Sequence, residues 1–338
     1  MKDRLDKSKI LVTGGAGFMG SSFIRYMLSK QEFIGKIINY DALTYCGNLN
    51  NLYKEATDPR YTFVLGDILD QKTLENTITT YNVDIVVHFA AETHVDRSIA
   101  DGESFVRTNV FGTFHLLEVI RRHPHIRLHH VSTDEVYGSL GESGSFFEDS
   151  PYKPNSPYSA SKAAADHFVR SYIHTYNIKA TISHAGNNYG PCQYPEKLIP
   201  FMIERLIEEK TLPLYGDGRQ VREWLYVEDH SRAIEAILLY GELGQVYNVG
   251  SQEEKTNLEL VRQLIDAFAA KIDKDPLQLC KKITFVQDRP GHDFRYAMDT
   301  TKMHAHTRWK PLWSLEKGLR KTVAWYIEKR RCIQYVQK

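Results

Sequence analysis

The sequence KILVTGGAGFMG, residues 9–20, joins a short apolar run to a glycine-rich turn. The apolar run is typical of a buried strand, and a helical pattern follows at residues 21–31. Gly14, Gly17 and Gly20 stand three apart, a spacing that lets the backbone approach a pyrophosphate at the start of the helix. A glycine turn between a strand and a helix therefore predicts a dinucleotide site, and a purely structural turn is the alternative.

Strands and helices continue to alternate beyond this turn. We predict further strands at residues 37–40, 62–65, 84–89 and 128–132, and helices at residues 113–122, 258–271 and 314–331. Apolar strands separated by helices indicate a parallel sheet that is covered on both faces. The predicted fold class is α/β, a Rossmann-type doubly wound parallel sheet with a smaller, interwoven substrate-binding α/β domain.

The composition excludes several classes of protein. The 338 residues include 43 Lys plus Arg and 42 Asp plus Glu, which gives a formal net charge of +1. This balance argues against a general nucleic-acid binder, although a few well-placed arginines suffice for a small anionic ligand. The charged N-terminus lacks the apolar stretch of a signal peptide, and no apolar span of about 18 residues follows it. We therefore expect neither export nor membrane insertion.

The cysteines bear on metal binding and on location. Cys46, Cys192, Cys280 and Cys332 have no close spacing. The pattern matches neither a zinc site nor a dense disulfide framework, so no metal site is predicted. Free thiols are typical of a reducing compartment, and we expect a cytoplasmic protein.

Residues that follow the predicted strands extend the dinucleotide site. Asp41 closes the second strand about 20 residues beyond the glycines, where a carboxylate binds the ribose 2′-hydroxyl and disfavours a 2′-phosphate. We therefore predict NAD in preference to NADP. The same site is expected to include Phe18 and Met19 in the turn, and Asp67, Ile68, Ala90 and Ala91 after the third and fourth strands. Alternatively, Asp67 is an ordinary turn residue and the alanines are core residues.

Tyr158 and Lys162 stand four apart in YSASK, which places both on one face of a helix. A lysine ammonium beside a phenol favours the phenolate, so we expect the pKa of the tyrosine to be lowered toward neutral pH. Such a pair can take a hydroxyl proton while a hydride leaves for NAD, and both residues are expected to touch the cofactor. A chance surface pair is the alternative, which the glycine turn and Thr133 upstream disfavour.

The segment Thr133-Asp134-Glu135 follows the fifth predicted strand, at the sheet edge where α/β proteins bind ligands. Two adjacent acids exceed the needs of a simple dehydrogenase, which requires only Thr or Ser together with Tyr. Carboxylates in different surroundings hold different pKa values, so that one acts as an acid and the other as a base. A solvated loop with two acids is the alternative.

These motifs resemble the extended short-chain dehydrogenase/reductase family along nearly the whole chain, and within it the nucleotide-sugar 4,6-dehydratases. The resemblance rests on TGGAGFMG (13–20), AAETHVDRS (90–98), STDEVYG (132–138), PYSASK (157–162), NNYGPCQYPEKLIP (187–200), YGDGRQVREWLYVEDH (215–230) and DRPGHDFRY (288–296). The acid pair is specific, because related 4-epimerases usually carry Ser or Ala in place of Asp134 and Glu135.

The resemblance implies a lyase reaction that leaves NAD unchanged overall. Tyr158, helped by Lys162 and Thr133, would remove the C4 hydroxyl proton while hydride passes from C4 to NAD⁺. Glu135 would then remove the C5 proton, and Asp134 would protonate the departing C6 hydroxyl before hydride returns to C6. The expected product is a 4-keto-6-deoxy sugar nucleotide.

The resemblance also implies the substrate contacts. Expected are Asn187 and Arg222 at the diphosphate with Lys197 and Leu198 nearby, Pro213 and Tyr215 at the base, Arg289 and His292 at the ribose-diphosphate end, His94 near the sugar, and Asn257 near the nucleotide. For Arg222 and Arg289 the alternative is a surface salt bridge, and for His94 it is a structural role.

By the same resemblance, residues 1–190 form the NAD-binding domain, with about 227–257 returning to it. Residues 191–226 and 258–338 form the nucleotide-sugar-binding domain. A homodimer through two helices per subunit is expected by family analogy alone.

The sequence departs from the family at residues 184–186, which read His-Ala-Gly where the dTDP-glucose enzymes usually read Arg-Cys-Ser. dTDP-glucose remains the favoured substrate, with UDP-glucose or UDP-N-acetylglucosamine as alternatives and a 4-epimerase activity less favoured. Intact Thr133, Tyr158 and Lys162 argue against a non-catalytic NAD-binding protein.

Overall fold

The structure is a computed structural model that describes residues 5–336, with side chains up to residue 330, so the side chain of Cys332 lies outside it. Its strands are β1 (Lys9–Thr13), β2 (Lys36–Asp41), β3 (Tyr61–Leu65), β4 (Ile85–His88), β5 (Arg127–Thr133), β6 (Lys179–Ala185), β7 (Asn187–Tyr189), β8 (Leu212–Tyr215), β9 (Val221–Tyr226), β10 (Val246–Val249), β11 (Glu254–Thr256) and β12 (Ile283–Val286). Its helices are α1 (Phe18–Leu28), α2 (Gln71–Tyr81), α3 (Val95–Ala100), α4 (Glu103–Phe105), α5 (Thr113–Arg122), α6 (Pro157–Tyr176), α7 (Leu198–Ile207), α8 (Val227–Tyr240), α9 (Asn257–Ile272), α10 (Pro276–Cys280), α11 (Thr301–Thr307) and α12 (Leu315–Val336).

The main sheet has seven strands in the order β10-β6-β5-β4-β1-β2-β3, and its neighbouring strands are parallel. The predicted doubly wound parallel sheet is therefore confirmed. The strand order reverses between β1 and β4, so the crevice at the carboxyl ends of these two strands is the place where such sheets bind their ligands.

Two strands of this sheet, β6 and β10, were not predicted from the sequence. β6 carries buried polar side chains in place of an apolar run, and β10 has only four residues. The polar groups are satisfied by a neighbouring histidine, because the ring of His129 on β5 makes hydrogen bonds of 3.0 Å with Thr181 and 3.1 Å with Ser183. Pairing across the strands thus removes the cost of burying these hydroxyls.

Helix α1 begins at Phe18, three residues before the predicted start, because Gly17 with extended backbone dihedrals caps it. Its apolar face, including Phe23 and Met27, packs against Ile234 and Leu238 of α8. A buried hydrogen bond of 3.1 Å between Ser22 and Ser231 joins the two helices. This packing fixes the direction in which the start of α1 faces the crevice.

A second layer is built on a three-stranded sheet, β11-β9-β7, and a two-stranded sheet, β12-β8. β7 begins two residues after the main-sheet strand β6 ends, so the two layers meet at Gly186. The core of this second layer is an apolar cluster that includes Trp224, Leu260, Leu264 and Leu319. The division of the chain into two domains at the stated residues stays a prediction.

Within residues 5–336 we find no helix that is long and apolar enough to cross a membrane. The thiols of Cys46, Cys192 and Cys280 are free.

Candidate active site

The glycine turn after β1 forms one wall of a cavity at the carboxyl ends of the strands. Gly14 has a φ of +68°, and a Cβ at this position would lie 2.7 Å from the backbone nitrogen of Ala90. A Cβ at Gly20 would lie 2.4 Å from the carbonyl oxygen of Gly14. Helix α1 starts without a side-chain cap, so its first N–H groups are available to an anion. The turn therefore fits a pyrophosphate.

The ribose end of the predicted cofactor site is organised by Asp41. Its carboxylate is buried and accepts hydrogen bonds from the backbone nitrogens of Ala16 (2.9 Å) and Leu43 (2.8 Å). Burial raises the pKa of Asp41, and these two hydrogen bonds oppose that rise. The cavity wall includes the predicted cofactor residues Gly14, Gly17, Phe18, Met19, Gly20, Asp41, Asp67, Ile68, Ala90, Ala91 and Tyr158. Acceptor oxygens at the end of β2 and small residues after β4 fit an NAD molecule.

The variant Asp41→Asn is expected to change cofactor selectivity, because it removes the negative charge that repels a 2′-phosphate. We expect the ratio of NADP to NAD affinity to rise by at least about tenfold, equivalent to about 1.4 kcal/mol. Isothermal titration with each cofactor measures this ratio, with Asp67→Asn as the matched control. An unchanged ratio in Asp41→Asn means that the carboxylate does not set the selectivity.

The predicted catalytic side chains come from β5 and α6. A capping box of Ser156 and Ser159 starts α6, so Tyr158 lies in its first turn. Thr133 ends β5, and its hydroxyl donates to Asp134 (3.2 Å). Tyr158, Thr133, Asp134 and Glu135 all line the same cavity as the glycine turn. The strand end and the helix start thus bring the predicted proton-transfer groups to the cofactor cavity.

The expected lowering of the tyrosine pKa is wrong for this structure. Burial raises the pKa of Tyr158, the charge of Glu135 raises it further, and a hydrogen bond with Thr133 opposes the rise. The ammonium of Lys162 is buried and donates to the carbonyl oxygen of Val131 (2.9 Å). Burial lowers the pKa of Lys162 to about 8, and the charge of Asp166 opposes that fall. The sequence spacing predicts that the two residues share a helix face, but it does not predict the burial that raises the pKa of the Tyr158 phenol.

The two adjacent acids occupy different surroundings. Asp134 is 2% exposed, and burial raises its pKa well above the ordinary value, with further increases from the charges of Glu135 and Glu223. Glu135 is half-buried, and burial raises its pKa, but the nearby cations Arg289, Arg222 and Lys197 oppose the rise. Asp134 is therefore the better proton donor, and Glu135 is the better proton acceptor.

The predicted substrate residues divide into two groups. Asn187 and Lys197 line the cofactor cavity. Lys197 directly precedes α7 and donates to the carbonyl oxygen of Thr93 (2.7 Å). The following predicted residues lie outside the cavity wall formed by the described residues: His94, Leu198, Pro213, Tyr215, Arg222, Asn257, Arg289 and His292. Lys162 also lies outside that wall.

Arg222 is not a surface salt-bridge residue. It is 5% exposed, donates to the carbonyl oxygen of Asp293 (2.9 Å), and stacks 4.3 Å from the ring centre of Tyr296. It lies close enough to the acid pair for its charge to lower the pKa values of Asp134 and Glu135. A buried guanidinium held in this way is a fixed positive charge beside the acids.

The remaining substrate residues form a cluster on the second layer. Arg289 pairs with Asp96 (3.4 Å), and the hydroxyl of Tyr215 donates to the same carboxylate (3.3 Å). The ring of His292 lies 6.1 Å from that of Tyr215. Arg289 therefore forms a salt bridge, as the alternative interpretation of the sequence predicted. Its charge also lowers the pKa of Glu135.

His94, Leu198 and Asn257 stand at helix starts. His94 precedes α3 and lies 3.7 Å from the carboxylate of Glu196. Leu198 begins α7 and packs against the core of the second layer. Asn257 begins α9, and its side-chain oxygen is buried without a hydrogen-bond partner among the described residues.

Sequence reasoning did not identify the loop residues that close the cavity. Cys46, in the loop after β2, and Glu196, in the loop before α7, both line the cavity. The hydroxyl of Tyr45 donates to Glu196 (3.0 Å). The ring of Tyr45 also lies 3.8 Å from the guanidinium carbon of Arg97. These residues lie in irregular segments, where no periodic pattern marks them.

Comparisons with known proteins show which family this chain resembles along nearly its whole length. The family model described as GDP-mannose 4,6 dehydratase matches residues 11–322. The dTDP-glucose 4,6-dehydratase of Neisseria meningitidis serogroup B is 46% identical over 341 aligned positions, which cover 97% of this chain and 96% of that protein.

Two solved structures of dTDP-glucose 4,6-dehydratases superpose over nearly the whole chain. The enzyme of Bacillus anthracis in complex with NAD has a TM-score of 0.87 and 49% identity, and the match covers 96% of this chain and 98% of that one. The enzyme of Streptomyces venezuelae with NAD and TYD bound has a TM-score of 0.90 and 46% identity, with the same coverage of 96% and 98%.

Proposed function

This chain belongs to the GDP-mannose 4,6-dehydratase family, and from that membership we propose that it is an NAD-dependent lyase that converts dTDP-glucose to its 4-keto-6-deoxy sugar. The observation that carries the proposal is the acid pair Asp134-Glu135, held in different surroundings beside the buried Tyr158. UDP-glucose and UDP-N-acetylglucosamine are the alternative substrates, because residues 184–186 depart from the usual family sequence.

NAD, when bound, supplies the oxidation at C4 and the later reduction at C6. The first turn of α1 would hold its pyrophosphate, and Asp41 would bind the adenosine ribose. Lys162, fixed against the end of β5 by its hydrogen bond to Val131, keeps a positive charge near the base of the cavity. These residues would hold the cofactor in the same cavity during both steps.

The proton transfers of the proposed reaction fall to four side chains. Tyr158, assisted by Thr133, would take the proton from the C4 hydroxyl while the C4 hydride would pass to bound NAD, so that a ketone forms at C4. The C5 proton, now acidic because it lies next to that ketone, passes to Glu135. The C6–oxygen bond breaks and the hydroxyl leaves as water with the proton of Asp134. Glu135 then returns a proton to C5 as the hydride would return to C6, which gives the 4-keto-6-deoxy product. Arg222, Arg289 and Lys197 stabilise the negative charge of Glu135 before it accepts a proton, and they suit a diphosphate close by.

A panel of three nucleotide sugars tests this proposal. Purified protein is incubated separately with dTDP-glucose, UDP-glucose and UDP-N-acetylglucosamine. We expect the 4-keto-6-deoxy product from dTDP-glucose, identified by NMR and by the mass loss of one water. An epimer formed without water loss contradicts a dehydratase, and failure to convert any of the three favours a binding role.

We propose further that the protein is a cytoplasmic homodimer that pairs through α6 and the π-helix Val106–Gly112. These two elements pack against each other, and they expose apolar side chains at Phe111 (52% exposed) and Phe168 (37% exposed). Val106 is also 45% exposed on the same π-helix. Exposed apolar side chains grouped on packed helices support a second copy of the chain as their partner.

The variant Phe111→Asp is expected to dissociate this dimer, because it places a charge in the proposed apolar contact. The mass measured by light scattering after size exclusion should fall from twice the chain mass to 39.0 kDa. Tyr53→Asp, at a residue that is 67% exposed, is the control and should remain a dimer. A wild-type protein that already elutes with the mass of one chain refutes the dimer.

A further inference from the structure

A buried polar cluster lies beneath the proposed proton-transfer groups and has no part in the chemistry described so far. Its centre is Asp166, which is 0% exposed and lies one helical turn after Lys162 on α6. One oxygen of Asp166 accepts from Ser132 (2.9 Å), Tyr152 (3.1 Å) and His184 (3.0 Å). Its other oxygen lies 3.1 Å from the ring of His130.

Hydrogen-bond geometry fixes a proton on Nδ1 of His184. The hydroxyl of Tyr137 has two partners, the side-chain oxygen of Asn248 at 2.9 Å and Nδ1 of His184 at 2.5 Å. The orientation of the Asn248 amide is set because its nitrogen donates to the carbonyl oxygen of Phe146 (3.0 Å). The single proton of Tyr137 is therefore donated to Asn248. Nδ1 of His184 must then be the donor to Tyr137.

The other ring nitrogen of His184 must also carry a proton. Nε2 lies 3.0 Å from an oxygen of Asp166 and 2.9 Å from the hydroxyl of Tyr152, and that hydroxyl donates its single proton to the same Asp166 oxygen (3.1 Å). An unprotonated Nε2 would then place a lone pair against two acceptor oxygens at hydrogen-bond distance. Burial raises the pKa of Asp166, but hydrogen bonds from His130 and His184 outweigh it and hold that pKa well below the ordinary value. Asp166 is therefore a carboxylate.

We propose that His184 is a buried imidazolium paired with the carboxylate of Asp166, and that this pair positions the proton-transfer groups. The contacts of the pair reach each element that carries such a group. Ser132 precedes Thr133 on β5, Asp166 shares α6 with Lys162 and Tyr158, and Tyr137 ends the short turn that begins with Asp134. Thus one ion pair joins the strand end, the catalytic helix and the turn of the acid pair.

Several other titratable or charged groups face the pair. Burial lowers the pKa of His130 to about 4, so this neighbour is neutral near pH 7. Arg170 donates to the hydroxyl of Tyr152 (3.2 Å), the ring of His167 lies 5.2 Å from that of Tyr152, and Glu148 accepts from the backbone of Asn248 (2.9 Å). Together with Lys162, these groups face the cluster from α6 and the adjacent loop.

Nitrogen NMR on the holoenzyme tests the protonation directly. Histidine rings are labelled with ¹⁵N, and the signals of residue 184 are assigned by their loss in His184→Gln. At about pH 7 and without substrate, we expect both nitrogens of His184 to resonate in the protonated range. One unprotonated nitrogen overturns the proposal. This result is independent of whether the protein dehydrates dTDP-glucose.

Variants separate a charged positioning pair from simple packing. His184→Gln is compared with His129→Gln, because His129 is also fully buried and its ring forms hydrogen bonds with the hydroxyls of Thr181 and Ser183. Thermal midpoints of both holoenzymes and the kcat and KM for dTDP-glucose are measured at about pH 7.

For His184→Gln we expect a midpoint about 5 to 10 °C below that of the wild type, because the variant leaves the buried carboxylate of Asp166 without its charged partner. The loss in His129→Gln should be smaller, since that variant removes only hydrogen bonds to hydroxyls. The catalytic expectation rests on the proposed function: a kcat about 10- to 100-fold lower in His184→Gln, with KM little changed. Equal losses in both variants would show a packing role and overturn the proposal.

Discussion

Replacing Tyr158 by phenylalanine is expected to lower kcat for dehydration about a thousandfold, because the ring stays in place while its hydroxyl is lost. The ring of Tyr158 packs edge-on against Phe105 at 6.3 Å, a contact that phenylalanine keeps. Only the group that takes the C4 hydroxyl proton disappears. Steady-state rates with dTDP-glucose measure the effect, and the thermal midpoint shows that the fold is intact.

Tyr172→Phe is the matched control for this experiment. Tyr172 lies on the same helix, and its hydroxyl donates to Glu118 (2.5 Å) away from the cavity. Its loss should leave kcat unchanged. If Tyr158→Phe keeps more than about a tenth of the wild-type rate, another group removes the C4 proton.

The second large effect is expected for Glu135→Gln. Glutamine keeps the size of the side chain but cannot take the C5 proton, so water loss should slow by about 10²- to 10⁴-fold. Oxidation at C4 needs no base at C5 and should still occur. In a single turnover we therefore expect the absorbance of the reduced cofactor to rise and persist, while mass spectrometry finds no loss of water.

Asp134→Asn provides the paired measurement. Asparagine cannot donate the proton that the departing C6 hydroxyl requires, so this variant should also stop before water loss. The C5 proton remains accessible to Glu135, so exchange of that proton with D₂O should continue in Asp134→Asn and stop in Glu135→Gln. Dehydration at the wild-type rate in Glu135→Gln would remove this side chain from the role of base.

Local sequence patterns predicted the features that depend on the backbone alone. The glycines at 14 and 20 were identifiable from their spacing between a strand and a helix, and the structure gives the reason, because a Cβ at either position would collide with neighbouring backbone. The helix that carries Tyr158 and Lys162 was identifiable from spacing. β6 was not, because its buried Thr181 and Ser183 need His129 on the adjacent strand, a partner that no local pattern reveals.

Properties that depend on three-dimensional surroundings were predicted less well. The pKa of Tyr158 is raised and not lowered, because burial and the charge of Glu135 dominate. The resemblance implied that Glu135 is the base and Asp134 the acid, but the adjacent acids alone did not give this direction. It depends on Arg222 and Arg289, which are distant in sequence from Glu135. The substrate residues came from family resemblance, and most of them lie outside the cavity that holds the acid pair.

The proposed reaction is an internal oxidation, water loss and reduction at one site. The most direct test is to incubate the wild-type protein with dTDP-glucose that carries deuterium at C4 and to locate the label by NMR and mass spectrometry. We expect a 4-keto-6-deoxy product that has lost one water and carries the deuterium at C6. A product that has not lost water and carries the deuterium at C4 would contradict the proposed dehydration.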